Sequence, residues 1–494
     1  MTKQMAIAIF ATFLFAGAGV LHAQLGNAAL ARQQVEGGAR LLNEGKVEDA
    51  IQIFNDCVAR FGGDPDFETQ THVIWAFRKK AEALMTQRKY AEAIATVDEG
   101  VRRWQNDARL ATTAWMNLAT VKAYALARQK KVDEATAVFD ACITHCLRDA
   151  KQGNRDYALG KGYEKIMLLK QLERHREVVA GCDAILPFFK SVEPASDADV
   201  EALYALMLEK GLALWELKRN DEALAAFDAL LARHDKRKNK LPRVAKHIAQ
   251  AMAGKGHLLL DTGRHEEASR VFETCVERFK GEKCPDTQVY VAQSLRFQAV
   301  ILRWKEKLKE ALALSRDGVR RCRDNREFEG QMELALALLF QAELLVEMEE
   351  YAEAVVVCDE GIRRFTDHES PRILCKTFSM MVNKGVALFF LGKWEETAAA
   401  MDFYLSHEKK ETDGACVAMK SSRAHYYKGR AKEQLGRPKE AWAAYKNAVG
   451  LYELRTDNDF SDMIADIRQA INRLETEAAV REQKDAVDDG KVEW

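Results

Sequence analysis

The sequence predicts an all-α protein, a right-handed superhelical solenoid of about ten helix pairs closed by a C-terminal capping helix. Three observations predict it. Seven prolines in 494 residues are about 1.4%, far below the ~5% of average usage, which favours long helices over Gly/Pro-turned strands. One spaced pattern recurs ten times along the chain. Within each copy, apolar residues fall three and four apart, the spacing of one buried helical stripe.

The elements follow in chain order. Lys3 precedes an uncharged run from Met5 to Leu21, and small residues then lead to Ala23 and Gln24. A basic start, an apolar stretch and a small residue make residues 1–23 a signal peptide, with the cut expected between Ala23 and Gln24. Seventeen apolar residues also reach the lower edge of a membrane span, so an uncleaved inner-membrane anchor is the alternative.

The repeats occupy residues 30–455. Their anchors are Ala50, Ala93, Ala135, Val178, Ala223, Ala268, Ala311, Ala354, Thr397 and Ala441, with gaps of 42 to 45 residues. Twelve residues before each anchor stand Gly38, Ala81, Ala123, Ile166, Gly211, Gly256, Ala299, Ala342, Gly385 and Gly429. Four after it come Phe54, Val97, Phe139, Cys182, Phe227, Phe272, Ser315, Cys358, Met401 and Tyr445. A small residue midway along one helix admits a second helix closely, and the anchor does the same from the other side. Polar turns such as Thr262-Gly263-Arg264 and Leu391-Gly392-Lys393 separate the two helices, the glycine supplying a left-handed stop. Pro65, Pro194, Pro242, Pro285 and Pro371 fall between repeats, where a helix must start. Pro187 falls nine residues after its anchor and is expected to cut one helix short.

A small residue, an Ala twelve positions on and an aromatic four beyond resemble the tetratricopeptide signature. Lys255-Gly256 through Gly263 and Ala268 to Phe272 is a close match. The period exceeds the usual ~34 residues, and the surplus is expected in the second helix and the connection. Repeats four (Ile166, Val178, Pro187) and nine (Thr397) depart most. Beyond repeat ten, residues 456–478 read as a capping helix, with Met463, Ile464, Ile467 and Ile471 on one face. Residues 479–494 are charged and poor in large apolar groups, and are expected to be a disordered tail.

Composition narrows function. With 74 basic and 75 acidic side chains, no global field marks a nucleic-acid ligand. None of H-E-x-x-H, C-x-x-C, G-x-S-x-G or G-x-x-x-x-G-K-[ST] occurs, so neither a catalytic residue nor a metal or cofactor site is assigned. Of ten cysteines, Cys57, Cys142 and Cys275 hold a small-residue slot of the repeat, and Cys182 and Cys358 its aromatic slot. These five read as packed thiols. Cys146, Cys284, Cys322, Cys375 and Cys416 lie nearer helix ends, where one pair is free to bridge. Lys80, Lys122, Lys165, Lys210, Lys255, Lys384 and Lys428 each precede the small slot. They are either a cationic row for an anion or stems packed on the next helix with their heads in water. The run Lys236, Arg237, Lys238, Lys240, Arg243 and Lys246 reads as a solvated connection or a contact for an acidic partner.

Stacked helix pairs present an extended surface for peptides or protein segments. The resemblance implies that the first helix of each pair lines the inner face. It points to Leu208, Leu212, Trp215, His257, Leu260, Arg296, Arg303, Glu343, Val346, Val386 and Phe389 as partner-binding residues, with Trp215 and Phe389 as readily filling the stack. The expected function is a non-enzymatic scaffold for an unidentified protein or peptide, in the periplasm or in an envelope or membrane-associated complex. An anchored cytoplasmic-side scaffold is the alternative, and an enzyme with a motif-less site in the groove is the least favoured reading.

Overall fold

A computed structural model describes residues 26–107, 109–148, 152–190, 192–237, 241–408, 414–452 and 461–488. The expected signal segment and its cut at Ala23-Gln24 lie outside the described residues. The chain divides into two compact units, residues 1–226 and 227–494, and among the described residues every regular element is helical.

In the first unit the pairs are α1 (Asn27–Asn43) with α2 (Val47–Phe61), α3 (Phe67–Thr86) with α4 (Tyr90–Trp104), α5 (Leu110–Arg128) with α6 (Val132–Arg148), and α7 (Gln152–Gln171) with α8 (His175–Ile185). α9 (Asp197–Glu216) opens the fifth pair and α10 (Asn220–Lys236) completes it. The second unit continues with α11 (Ala245–Asp261) and α12 (His265–Phe279), α13 (Pro285–Trp304) and α14 (Leu308–Cys322), α15 (Phe328–Glu347) and α16 (Tyr351–Phe365). α17 (Pro371–Phe390) and α18 (Trp394–His407), then α19 (Gly414–Gln434) and α20 (Pro438–Tyr452), complete the repeats before the cap, α21 (Ser461–Asp488).

The extra length of the repeat is not where the sequence reading placed it. Second helices such as α12, α14 and α16 have 15 residues, whereas first helices such as α13, α15 and α17 have 20. Pro285 and Pro371 each sit in the first turn of their helices, where a missing N–H costs nothing, and α15 reaches the same 20 residues with no proline. Pro187 acts as expected: α8 ends at Ile185 and a 3-10 turn covers Leu186–Phe189.

The turn inside each pair is the same ten times. The residue five before each anchor has positive φ: Gly45, Gly263, Gly392 and Gly436, but also Arg88, Lys130, Glu173, Lys218, Glu306 and Glu349. Around Gly263 the amide of Arg264 donates to the Leu259 carbonyl at 2.8 Å and that of Gly263 to Leu260 at 2.9 Å, a Schellman stop. The Arg264 carbonyl then accepts from Ala268 at 3.0 Å, so one residue ends the first helix and starts the second.

Packing at the small slot is set by volume. A Cβ on Gly256 would stand 2.4 Å from the Phe272 ring, and one on Gly385 2.4 Å from Met401. Where the slot is Ala299 or Ala342, the facing residue shrinks to Ser315 or Cys358. Repeat four inverts the rule. Ile166 fills the space left by Gly181, whose missing Cβ would lie 2.7 Å from its Cδ1. Thr397, the other departure, is fully buried and donates its hydroxyl to the Lys393 carbonyl at 3.0 Å.

The cap packs Ile467, Ala470, Ile471 and Leu474 against Tyr426, Ala441, Tyr445 and Ala448. It does not stop near residue 478 but continues helical to Asp488. Residues 475–488 contain Glu, Gln, Lys, Ala and Arg and no Gly or Pro, so a helix nucleated on the core propagates outward without one. Residues 489–494 of the expected tail lie outside the described residues.

Candidate functional site

In the second unit each first helix packs on the next first helix as well as on second helices. They thereby form a continuous wall. In the second unit that wall comprises α11, α13, α15, α17 and α19, and the expected partner-binding residues from His257 onward stand on it.

Burial sorts those residues. Leu208, Val386 and Phe389 are buried, so they fill the stack and are not offered to a partner. Leu212 and Trp215, on α9 in the first unit, remain half-buried. His257, Leu260, Arg303, Glu343 and Val346 are also half-buried and bring three successive repeats together. Arg296 is spoken for. Its guanidinium donates to both carboxylate oxygens of Glu333, at 2.7 and 3.1 Å, with side chains 13% and 5% exposed. It also covers the Phe297 ring at 4.5 Å. A shielded fork of this kind fixes α13 on α15.

His257 stacks on Phe297 at 4.4 Å, and Phe297 in turn on Phe272 at 5.5 Å. Burial lowers the His257 pKa, against the opposing pull of Asp261. Arg303 donates to Glu347 at 2.7 Å and stands 3.8 Å from Glu343. The Glu343 carboxyl is pushed above its ordinary value by burial, while Arg303, Arg423 and Lys376 pull it down. The Glu343 carboxyl thus lies in the field of cations from the preceding repeat and the next two, with only Arg303 within salt-bridge reach among the described residues.

The lysine row is neither an open anion site nor a set of heads in water. Lys122, Lys165 and Lys210 pair with Asp98, Asp140 and Asp183 at 2.6 Å. In the second unit Lys255, Lys384 and Lys428 pair with Asp228, Asp359 and Asp402 at 2.5 to 2.6 Å. Each aspartate belongs to the second helix of the repeat before. Lys80 meets Asn55 in that register and forms no such pair among the described residues.

The tenth repeat extends the wall with side chains the sequence reading did not assign. Arg423, Tyr426, Tyr427 and Arg430 lie on α19, and Phe389, Phe390 and Trp394 pack beside them. Tyr427 meets Phe389 at 5.5 Å and Phe390 at 6.3 Å, and Phe390 stacks on Tyr351 at 5.0 Å. The signal was present. Tyr426 and Arg430 hold the same positions, three before and one after the small residue, as Arg296 and Glu343.

The five cysteines at repeat slots are all fully buried. Burial pushes Cys57 and Cys275 up to about 11 and Cys182 to about 12. Cys146 and Cys322 are buried too, while Cys284 and Cys375 are half-buried, and none of these nine is bridged. Among the described residues no group of three or more His, Cys, Asp or Glu side chains is placed to hold a metal.

Wall, turns and slots define a helical-repeat protein. A tetratricopeptide-repeat family model matches residues 78–146, 195–238 and 208–282. The matched segments thus carry tetratricopeptide repeats, and the other helix pairs described above continue the same two-helix architecture. No curated protein sequence matches it. Among solved structures it is similar to the apo form of RapI, at 10% identity over 86% of this chain and 98% of that one, with a TM-score of 0.42. The apo quorum sensor NprR from B. thuringiensis aligns at 12% identity over 85% and 98%, TM-score 0.39. A tetratricopeptide repeat protein from Parabacteroides merdae aligns at 12% identity over 64% and 99%, TM-score 0.31.

Proposed function

We propose that the protein is a non-enzymatic scaffold that holds an extended peptide or protein segment along the first-helix wall of its second unit. The observation that carries this reading is the half-exposed strip of His257, Leu260, Arg303, Glu343 and Val346. Polar and apolar groups from consecutive repeats stand there side by side, as an extended ligand needs. Export belongs to the same proposal. Removal of residues 1–23 releases a chain beginning at Gln24 into the periplasm or cell envelope, supported by the Lys3-to-Ala23 pattern alone.

A photo-crosslinking amino acid tests the binding face in the native host. Placed at Val346 it should trap a discrete partner band; placed at Val356, which is 67% exposed on α16, it should not. Equal trapping at both positions, or trapping at Val356 alone, sinks the reading. N-terminal sequencing of the same material should begin at Gln24, and an intact Met1 would refute export.

A further inference from the structure

The first helices of the second unit carry many cations, and most are consumed within the fold. Arg296 is bound by Glu333, Arg303 by Glu347, and Lys255, Lys384 and Lys428 by aspartates. Arg423 and Arg430 differ. Among the described residues neither guanidinium stands within salt-bridge distance of a carboxylate, although Glu343 lies in the field of Arg423. Arg423 reaches the Asn383 amide oxygen at 3.4 Å, and Arg430 the Tyr426 hydroxyl at 3.5 Å. Both contacts are long and neutral. The acids nearby are committed elsewhere: Glu433 accepts from Tyr445 at 2.9 Å and from Arg473, and Glu343 stands by Arg303.

Both guanidiniums are nevertheless held in place. Arg430 lies 4.6 Å from the Phe389 ring centroid and 5.7 Å from that of Tyr426, and Arg423 lies 6.0 Å from Tyr427. A guanidinium resting on aromatic faces keeps its fork open and has less rotamer freedom to lose when it takes a carboxylate. The half-buried Tyr427 lies on α19 between the two arginines, and Phe390, 49% exposed, borders it. Seven residues of helix separate the arginines by about 10 Å. An extended peptide at ~3.3 Å per residue covers that distance in about three residues.

We infer that Arg423 and Arg430 form a docking site for an extended peptide bearing two side-chain carboxylates three residues apart, with an apolar group between them on Tyr427 and Phe390. Charge complementarity selects this occupant: two unpaired forks on an aromatic floor match two carboxylates and an apolar spacer. The site rests on the scaffold reading above and gives that reading a ligand chemistry.

Fluorescence anisotropy on the full chain tests it with two labelled libraries, both acetylated and C-terminally amidated so that no chain terminus contributes. One fixes Glu-x-x-Glu within randomised flanks and the other fixes Gln-x-x-Gln. The Glu library should bind at least about tenfold more tightly, the scale of one charge-assisted contact. The R423Q/R430Q double variant should lose that margin while its far-UV circular dichroism stays unchanged. R423K/R430K, which keeps charge but not the fork, should fall between. Arg320→Gln, a change at a side chain 77% exposed on α14, should bind as the parent does. Equal binding of both libraries, survival of Glu binding in the double Gln variant, or displacement by inorganic sulfate as readily as by unlabelled Glu peptide overturns the inference. If no library binds while Val346 still traps a partner, the site falls and the scaffold stands; if Val346 also traps nothing, both fall.

Discussion

The ammonium of Lys255 lies 2.5 Å from a carboxylate oxygen of Asp228, which belongs to the preceding repeat. Pairs of this kind recur, while Arg296 and Glu333 form a second type of link one layer deeper. Exposure separates their energetics. Asp228 is 56% exposed, so the surface pair should contribute only ~0–1 kcal/mol. A double-mutant cycle with Lys255→Met and Asp228→Asn should return a coupling in that range, reduced further by salt.

Removing one partner of the deeper link should cost far more. Glu333→Gln strands the Arg296 guanidinium in a shielded site, a loss of ~3–5 kcal/mol. Thermal unfolding of the variant should show a large fall in midpoint. A change no greater than that of Asp228→Asn would mean that water reaches Arg296 freely.

The six charged residues at positive φ make a stability scan possible. An L residue with a Cβ in the left-handed region is strained by ~1–2 kcal/mol, which glycine avoids at some cost in unfolded-state entropy. Glu349→Gly and Lys130→Gly should therefore each stabilise by up to about 1 kcal/mol, and Gly263→Ala should destabilise by a similar amount. Urea unfolding midpoints at unchanged slope would register both signs.

Thiol chemistry should follow burial. In native protein a thiol reagent should modify Cys284 and Cys375 and leave Cys57, Cys182, Cys275, Cys322 and Cys358 intact until denaturation. High thiol pKa values reinforce this, because the thiolate is the reactive species. Native modification of Cys57 or Cys275, or a mass showing several disulfides, would contradict the packing.

Glu343 gives a pH dependence with a definite sign. Its folded pKa lies above the ordinary 4.5, so between those two values the folded state binds more protons than the unfolded one. Stability from this group is present below 4.5 and is lost as pH rises through the folded value. Glu343→Gln should thus raise the melting temperature at neutral pH, with the gain shrinking in acid. The bond of Arg303 to Glu347 does not involve Glu343, so the substitution leaves that pair in place. A variant less stable at neutral pH than in acid, each measured relative to the parent, would reverse the assignment.

Much of this architecture was legible because packing repeats. Gly256 and Phe272 announce a close helix approach by size alone, and ten such slots in phase fix the pairing. The left-handed turns were legible only at the four glycines; Arg88 or Glu349 carries no local sign of positive φ, which the flanking helices impose. The surplus of each repeat reads from the sequence as second helix and connection, because a proline marks where a helix begins without saying how closely it follows the last. Leu208 and Val386 read from the sequence as groove residues, and Phe389 equally as groove or stack, since a position facing inward and a position facing a neighbour share the same periodicity. The aspartates of the lysine row escaped because their partners lie 24 to 27 residues away across a repeat boundary.

That boundary has an evolutionary corollary. Each small slot and the bulky group it receives lie in one stretch of chain, so duplicating or deleting a whole repeat carries a matched pair intact. The lysine and its aspartate are inherited from different copies, and any rearrangement must re-match them. Around the seventh and eighth repeats the lysine is Gln298 and then Gln341, and the positions facing them are Glu273 and Arg316. Neither the lysine nor the aspartate is present at those two boundaries, so they are joined without that link.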